Sequence, residues 1–443
     1  MCGRSGPPAK VRATMKAGFA AAALLMAGCA TQATHTEPAS YTFENGRWFD
    51  GQGFVERAVS VVGGRLVIDG DPREALNTID LAGDYVVPPF CEAHNHNLGD
   101  SAELDDVQQT VAAYLQYGVF YAMMHGSFAT YRQQIADLIN TPESVDVAFA
   151  NNGLTGSGGH PRRLREFLMD SYGSYPEFTK DTLPDAGYFE ADTPDELREK
   201  WTLILAEKPD FIKVMLLFSE EYESRKGNPE YYGERGLNPD LLPGLVQMAQ
   251  EAGLRVSVHV ETDADMQTAL RSGADMIAHM PSHDAPIRLS DETVALAADT
   301  QAGIITTLSL ADRLKKRDPD LYEPTLEAQR DNLSRLSRAG ANLVLGSDNV
   351  RDVSVGEARH IVSLDVLDNA ALLRMWTENC ASTVFPDRKI GRLEDGYEAS
   401  FIVLEGNPLT DFDQIDTITL RLKDGEILDE TSSYDIQRET AED

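Results

Sequence analysis

Six side chains of the types that bind divalent metals stand in or directly after apolar, strand-like runs. They are His94, His96, Lys213, His259, His279 and Asp348. His94 and His96 are two residues apart, so in an extended chain both imidazoles lie on one face and can bind the same cation. Imidazole and carboxylate groups suit zinc and related divalent ions. The six residues therefore predict a metal centre.

Each of these residues also has an explanation without a metal. Lys213 lies in the apolar run 211–217, where an ammonium group needs an ion pair. His259 and His279 could be hydrogen-bonded core histidines, and Asp348 could cap a following helix. We favour the metal centre because otherwise six unrelated features would coincide at one end of a set of strands.

The elements that must position these side chains form a repeating pattern. Apolar strand-like runs alternate with amphipathic helical patterns, which is typical of βα units around a parallel sheet. The runs span residues 85–96, 118–125, 145–151, 210–218, 254–260, 274–279, 303–308 and 342–348. Eight strands close a TIM (β/α)8 barrel, so we predict an α/β fold with this barrel over residues 90–389. Most of the six candidates lie at the carboxyl ends of the strands, where barrel enzymes gather their catalytic groups.

Two other segments have a different pattern. Residues 41–89 and 390–430 contain short strands separated by Asn-Gly, Asp-Gly and Gly-Gly turns, and we predict that together they form a small β-sandwich. Residues 431–443 are expected to be a C-terminal tail. The long segments 152–192 and 218–237 follow the third and fourth predicted strands, so they are candidate walls of a substrate site.

The N-terminus has the features of an export signal. Residues 1–28 contain four basic residues and then an apolar run, 17–27, that is too short to span a bilayer. The run ends in a segment that resembles a bacterial lipobox, so Cys29 is predicted to carry the lipid and residues 29–40 to form a tether. We expect a lipid-anchored protein in the periplasm or at the outer membrane. Ordinary cleavage near Ala27 is the alternative.

Composition limits the other partners. The 443 residues include 39 Lys and Arg against 72 Asp and Glu, a net charge of −33, and 42% are hydrophobic, as in a globular protein. Such an acidic chain repels phosphate, so no nucleic-acid partner is expected, while a homo-oligomer is compatible with the sequence. Cys91 and Cys380 lie in apolar stretches; we expect buried free thiols, with a single bridge between them as the alternative.

The chain resembles the amidohydrolase superfamily of metal-dependent hydrolases over nearly all of residues 41–430. The motifs that carry this resemblance are Ile79-Asp80-Leu81-Ala82-Gly83, Val86-Val87-Pro88-Pro89 leading into His94-x-His96, Gly391-x-Leu393-x-x-Gly396, and residues 403–409. The resemblance implies two divalent ions, which we expect to be Zn²⁺. It places His94, His96 and Asp348 on one ion, His259 and His279 on the other, and a CO₂-derived carbamate of Lys213 on both.

The reaction implied is hydrolysis of amide (C–N) bonds in small substrates such as Xaa-Pro dipeptides or N-acyl amino acids. A metal-activated bridging hydroxide would attack the carbonyl, while Asp348 accepts the water proton and delivers it to the leaving nitrogen. Residues 154–160 resemble the Gly-Gly-His loop of the imidazolonepropionase-like and prolidase-like branch, in which the histidine faces the substrate. His160 is therefore a further catalytic and substrate-binding candidate.

Other substrate contacts are predicted from position alone. Arg162, Arg163 and Arg165 could bind a substrate carboxylate, although solvated loop charges explain them equally well. Tyr231, after the fourth strand, could donate a hydrogen bond or simply pack its loop. His125 ends the second strand and could line the site.

Other functions use the same residues. A cyclic amidohydrolase or deaminase, a lactonase, and a non-catalytic metal-binding lipoprotein are the alternatives. A deaminase is disfavoured because His259-Val260-Glu261 places the acid one residue short of the family's His-x-x-Glu.

Overall fold

The computed structural model describes residues 40–68, 77–99 and 103–428, together with the backbone of residues 436–438. The predicted signal peptide, Cys29, nearly all of the tether and most of the predicted C-terminal tail lie outside the described residues. Within the described ranges, no helix combines the length and the apolar character needed to cross a membrane.

The strands of the described chain are short. They are β1 (Tyr41–Phe49), β2 (Phe54–Val62), β3 (Arg65–Ile68), β4 (Asn77–Asp80), β5 (Tyr85–Val87), β6 (Phe90–Asn95), β7 (Val119–Met124), β8 (Asp146–Phe149), β9 (Gly153–Thr155), β10 (Tyr188–Glu190), β11 (Ile212–Met215), β12 (Val256–His259), β13 (Met276–Ile277), β14 (Gly303–Ile305), β15 (Leu343–Val344), β16 (Phe401–Leu404), β17 (Ile418–Lys423), β18 (Glu426–Ile427) and β19 (Ile436–Arg438).

Helices fill most of the connections between β6 and β16. They are α1 (Leu104–Gln116), α2 (Ala129–Gln134), α3 (Arg162–Tyr172), α4 (Pro194–Ala206), α5 (Tyr222–Arg225), α6 (Leu242–Glu251), α7 (Asp263–Arg271), α8 (Asp291–Thr300), α9 (Leu314–Arg317), α10 (Pro319–Ala339), α11 (Val355–Leu364), α12 (Asn369–Arg374) and α13 (Cys380–Val384). A π-helical turn, Met375–Asn379, joins α12 to α13.

Both ends of the chain contribute to one mixed sheet. Within the described residues it has nine strands, in the order β18-β17-β16-β5-β1-β2-β3, with β4 and β19 branching from β1. The branch arises because β1 pairs antiparallel with β2 and parallel with both β4 and β5. Phe43 and Trp48 of β1 contact the ring of Phe401 of β16 edge to face. All three belong to a buried cluster that contains residues from both the N-terminal and the C-terminal segment. The N- and C-terminal segments therefore have one sheet and one core in common.

The remaining described strands are parallel. Seven form a sheet in the order β10-β9-β11-β12-β13-β14-β15, and three form the sheet β6-β7-β8. Backbone hydrogen bonds join the two sheets at both ends. Ala93 N donates to Leu345 O over 3.1 Å, and Asp210 N donates to Phe149 O over 2.8 Å. With helices between successive strands, this is a TIM-like α/β arrangement.

All eight strand-like runs of the sequence contain an observed strand: β6, β7, β8, β11, β12, β13, β14 and β15. The sequence pattern misses β9 and β10 because a three-residue strand is too short to show a hydrophobic period. Both lie within the segment 152–192 and extend the edge of the seven-stranded sheet beside β11.

Side-chain caps mark the start of two of the connecting helices. Thr193 and Glu196 form a capping box before α4, with Pro194 at the first helical position. Asn238 accepts a hydrogen bond from Asp240 N and begins the short turn that leads into α6. Such caps satisfy backbone donors that the first helical turn leaves unpaired.

The expectation of two free thiols is wrong: Cys91 and Cys380 form a disulfide. Both residues are fully buried, as expected. Their pairing follows from the packing of α13 against β6, which brings their Cα atoms to 5.8 Å, within the range of a disulfide. The bond closes a sequence separation of 289 residues and ties the strand that carries His94 to the last helix before β16.

Candidate metal centre and active site

Three of the predicted ligands meet where β6 and β15 end. Nε2 of His94 lies 3.3 Å from Nε2 of His96, and Oδ1 of Asp348 lies 3.8 Å and 3.4 Å from these two nitrogens. The donor atoms of the three residues all lie within 4.8 Å of one another. Nδ1 of His94 is 2.7 Å from the carbonyl oxygen of Ala278, which fixes the ring so that Nε2 faces the cluster. The arrangement can hold one divalent ion.

The backbone of Asp348 contributes to this geometry. Asp348 has a φ of +49°, in the left-handed region that few residues other than glycine adopt. Its N–H donates to the carbonyl oxygen of His94 over 2.7 Å. Asp and Asn tolerate this conformation better than other non-glycine residues do, so the position suits a carboxylate that must turn toward the histidines.

Glu92 supports the cluster from behind. Its fully buried carboxylate accepts hydrogen bonds from the backbone N–H of His94 (3.0 Å) and Ser347 (2.8 Å), the Ser347 hydroxyl (2.6 Å) and the Asn95 amide (3.3 Å). Burial raises the pKa of Glu92 to about 8, and these hydrogen bonds oppose that rise. Glu92 thus joins the residue before Asp348 to the residues around His94.

The other three predicted ligands form a looser set beside the first. The ring centroids of His259 and His279 are 4.4 Å apart. Nζ of Lys213 lies 3.4 Å from Nδ1 of the buried His125. Nε2 of His259 is 2.9 Å from Oε1 of Glu261, a contact that the sequence did not predict. These side chains share one pocket, but Lys213, His259 and His279 do not form a group as tight as that of His94, His96 and Asp348.

Burial controls the protonation of the cluster. It lowers the pKa of each buried imidazole well below its usual value, and neighbouring histidines and Lys213 lower it further; the residues concerned are His94, His125, His259 and His279. Burial also lowers the pKa of Lys213 to about 7, against the opposing charge of Asp348. Neutral imidazoles and a neutral amine retain the lone pairs that metal binding and carboxylation need.

A cavity of about 410 Å³ opens over these residues. Its lining includes His96, His125, His160, Arg165, Tyr175, Lys213, His259, Glu261, His279, His283, Asp284, Leu310, Arg313, Asp348 and Val350. The ring of His160 lies 5.1 Å from that of His259, at an interplanar angle of 26°. Segment 152–192 therefore forms one wall of the cavity, as predicted. Segment 218–237, also expected to form a wall, contributes none of the lining residues found in the described part of the chain.

Three of the predicted substrate contacts lie elsewhere. Arg162 is ion-paired with Glu166 and Glu190, at 3.1 and 3.3 Å. Arg163 is largely exposed and pairs with a surface glutamate, and the ring of Tyr231 packs against a buried arginine. None of the three lines the cavity. Their charges or hydrogen-bonding groups are engaged in holding the loops that surround the site.

Arg165 is the member of the arginine run that reaches the cavity. It is buried, with its guanidinium 4.6 Å from the ring centroid of Phe128 and 5.3 Å from that of Tyr175. Arg162 and Arg165 both belong to α3, so the phase of this helix decides which arginine faces inward. A sequence pattern without the helix start cannot fix that phase.

A second group of donor atoms lies at the edge of the cavity. Nε2 of His283 is 3.4 Å from Oε2 of Glu261 and 3.7 Å from Oδ1 of Asp284. Asp284 is also ion-paired with Arg317 at 3.0 Å. The only sequence signal for this group was its closeness to His259 and His279.

Comparison with known proteins shows a family match and solved structures with a similar fold. The amidohydrolase family matches residues 85–428. An ochratoxinase from Aspergillus niger is 25% identical over 350 residues, which cover 74% of this chain and 71% of that protein. The crystal structure of A. niger ochratoxinase matches with a TM-score of 0.69 at 19% identity, over 88% of this chain and 96% of that chain.

Other solved structures share the fold. A prolidase complexed with N-methylphosphonate-L-proline has a TM-score of 0.67 at 20% identity, over 88% of this chain and 99% of that chain. A Xaa-Pro dipeptidase with methionine bound in its active site has a TM-score of 0.67 at 17% identity, over the same shares of both chains. Identities this low show the shared fold alone.

We predict that Glu92→Gln weakens metal binding about 10- to 100-fold, the usual effect of losing a partner that orients metal ligands. The amide oxygen can keep the two backbone bonds to Oε1, but the amino group in place of Oε2 cannot accept from the Ser347 hydroxyl or the Asn95 amide, so the support behind His94 and Asp348 is weakened. Competition with a chromogenic chelator measures the affinity.

Glu207→Gln is the matched control, since Glu207 is a part-buried carboxylate that accepts from Asn152 at 2.7 Å, outside the cavity lining. Equal losses of metal affinity in both variants would contradict the positioning role of Glu92.

Proposed function

The chain belongs to the amidohydrolase family, and we propose that it hydrolyses the amide bond of small substrates such as Xaa-Pro dipeptides or N-acyl amino acids. Family membership makes it a metal-dependent hydrolase that acts on carbon–nitrogen bonds. The observation that carries the proposal is the convergence of His94, His96 and Asp348 beneath a 410 Å³ cavity. We also infer that the eight predicted strands close into one (β/α)8 barrel around this cluster.

The donor set fits two divalent ions, which we infer to be Zn²⁺. His94, His96 and Asp348 would hold one ion, and His259 and His279 the other. Bound ions of this kind polarise a carbonyl oxygen and lower the pKa of water toward neutrality. The uncharged state of the buried imidazoles supports the assignment, because only a neutral ring nitrogen can ligate a metal.

Lys213 would join the two sites as a carbamate. The neutral Nζ bonds to the carbon of CO₂ and releases a proton, which turns a buried amine into an anion. Burial favours this step because it lowers the pKa of Lys213 to about 7, so a large fraction of the amine is unprotonated near neutral pH. The anion then offsets the charge of the ions in a site that is shielded from water.

Asp348 and His160 act on the substrate and on water. The carboxylate of Asp348 lies at the cavity floor, where it accepts a proton from water and returns it to the leaving nitrogen. Burial holds the pKa of His160 at about 3, so its ring is neutral at physiological pH and offers one N–H to a substrate oxygen. The names of the structural neighbours, prolidase and Xaa-Pro dipeptidase, support testing Xaa-Pro dipeptides first.

We predict that the full-length, zinc-loaded protein releases amino acids when it is given a library of Xaa-Pro dipeptides, N-acyl amino acids and hydantoins. We expect one of these three substrate classes to be cleaved. Asp348→Asn should lower kcat about 10²- to 10⁴-fold, the usual contribution of a general acid–base. Asp365→Asn is the matched control, because Asp365 has a similar φ of +54° outside the cavity and should keep full activity. Silence across the library with metal bound would refute the amide-hydrolase assignment.

We predict that protein loaded in ¹³C-bicarbonate shows one carbamate resonance in its ¹³C NMR spectrum. Lys213→Met should abolish this resonance, because the variant lacks the amine. Lys423→Met should retain it, since Lys423 is also fully buried but is ion-paired with Asp146 at 2.8 Å. A spectrum without the resonance, or one that survives in Lys213→Met, would exclude a carbamate at Lys213.

We further propose that the protein is exported and anchored to a membrane through a lipid on Cys29. The short apolar run 17–27 and the lipobox-like segment before Cys29 support this. Cys29→Ser should abolish incorporation of radiolabelled palmitate and move the protein from the membrane to the soluble fraction of lysed cells. Unchanged labelling in this variant would contradict the anchor.

A further inference from the structure

A second cavity, of about 740 Å³, adjoins the cavity over the metal-ligand cluster. The two share three lining residues, Leu310, Arg313 and Val350, so they adjoin at these side chains. The walls of the second cavity come from the segments that follow β14 and β15, at the same edge of the parallel strands as Asp348. A substrate at the cluster that extends past the three shared residues would reach it.

Cations outnumber carboxylates in this second cavity, although acidic residues outnumber basic ones 72 to 39 in the whole chain. Its cationic lining residues are Arg313, Lys315, Arg351 and Arg359, and its acidic ones are Asp312 and Asp352. His360 also lines it, with Nε2 2.8 Å from the side-chain oxygen of Gln329. An anion approaching this acidic protein thus meets a local positive field beside the site.

Two of the four cations already have partners. Lys315 is ion-paired with Asp312 at 2.8 Å, and Arg359 is ion-paired with Asp416. Arg313 and Arg351 differ: within residues 40–68, 77–99 and 103–428, neither guanidinium has an ion pair or a side-chain hydrogen bond. They are the two cations of this cavity whose donors are available to a ligand.

Two apolar side chains, Leu310 and Val350, lie where the two cavities adjoin. Val350 is 54% exposed, and together with Leu310 it lines both cavities. An aliphatic or prolyl segment of a substrate would cover this surface. Guanidinium groups beyond it match a carboxylate, which they can bind in a bidentate manner.

We propose that Arg313 and Arg351 bind the carboxylate of the amino acid that the reaction releases. This inference rests on the proposed amide hydrolysis and deepens it, since it restricts the substrates to amides whose amine half is anionic. It also assigns the role that the sequence suggested for Arg162 and Arg163, which instead pair with glutamates. Arg313 lines both cavities, whereas Arg351 lines the second cavity alone.

The test compares an N-acyl amino acid with the matching N-acyl alkylamine, which lacks only the carboxylate. Arg313→Gln and Arg351→Gln should each lower kcat/KM for the acid about 10- to 100-fold, through KM, the range expected when a hydrogen bond to a charged group is lost. Both variants should change the rate for the neutral amide less than about twofold, because it makes no such contact. Arg359→Gln is the matched control and should affect neither substrate.

Equal effects of Arg313→Gln on the two substrates, or no effect on either, would overturn the carboxylate site. Calorimetry that measures binding of the N-acyl amino acid to Asp348→Asn protein tests the carboxylate site without turnover. It therefore distinguishes loss of the carboxylate site from absence of amide hydrolysis. If the wild type cleaves neither substrate but binding still depends on Arg313 and Arg351, the carboxylate site stands and amide hydrolysis fails. Binding that is unchanged in both arginine variants would refute the site whatever the activity.

Discussion

The buried carboxylate of Glu92 is the interaction on which the rest of the site depends. It accepts hydrogen bonds from the backbone of His94 and of Ser347, which belong to segments about 250 residues apart in the sequence. A carboxylate in such a dry position is unfavourable unless donors surround it, so its four hydrogen bonds are stabilising only while both segments keep their relative positions. The same requirement holds His94, His96 and Asp348 close enough to share a cation. Stability and ligand geometry therefore rest on the same few bonds.

Burial also determines the charge of the ligand cluster, because it lowers the pKa of the histidines and of Lys213. Buried imidazoles are neutral, and the buried amine of Lys213 has lost most of its tendency to hold a proton. Such a site contains little positive charge of its own, and it lies within a protein of net charge −33. Cations are thereby favoured at the cluster, whereas anionic groups need local compensation to approach it. Arg313 and Arg351 would supply such compensation on the side of the adjoining cavity, and an anionic group of a substrate would be oriented toward them.

The sequence predicted the parts of this structure that depend on local pattern. The strands from β6 to β15 that carry the ligand candidates are apolar runs between helical patterns, and few residue types can bind divalent metals, so His94 and Asp348 could be singled out. The phase of α3 could not be predicted, so Arg162, Arg163 and Arg165 were all candidates, although Arg165 alone of the three lines the cavity. Arg313 and Arg351 gave no signal, because only the three-dimensional structure shows that, within the described part of the chain, neither guanidinium is paired with the acids beside it. The Cys91–Cys380 pairing likewise depends on a tertiary distance between residues far apart in sequence.

The Cys91–Cys380 bond makes the strand that carries His94 sensitive to redox conditions. Cytoplasmic reductants keep thiols free, whereas compartments outside the inner membrane allow disulfides to persist. A reduced chain would lack the bond that restrains β6, the strand of Glu92 and His94, and its unfolded state would keep the freedom that the bond removes. The order around the metal ligands therefore depends on the redox state of a cysteine one residue before Glu92.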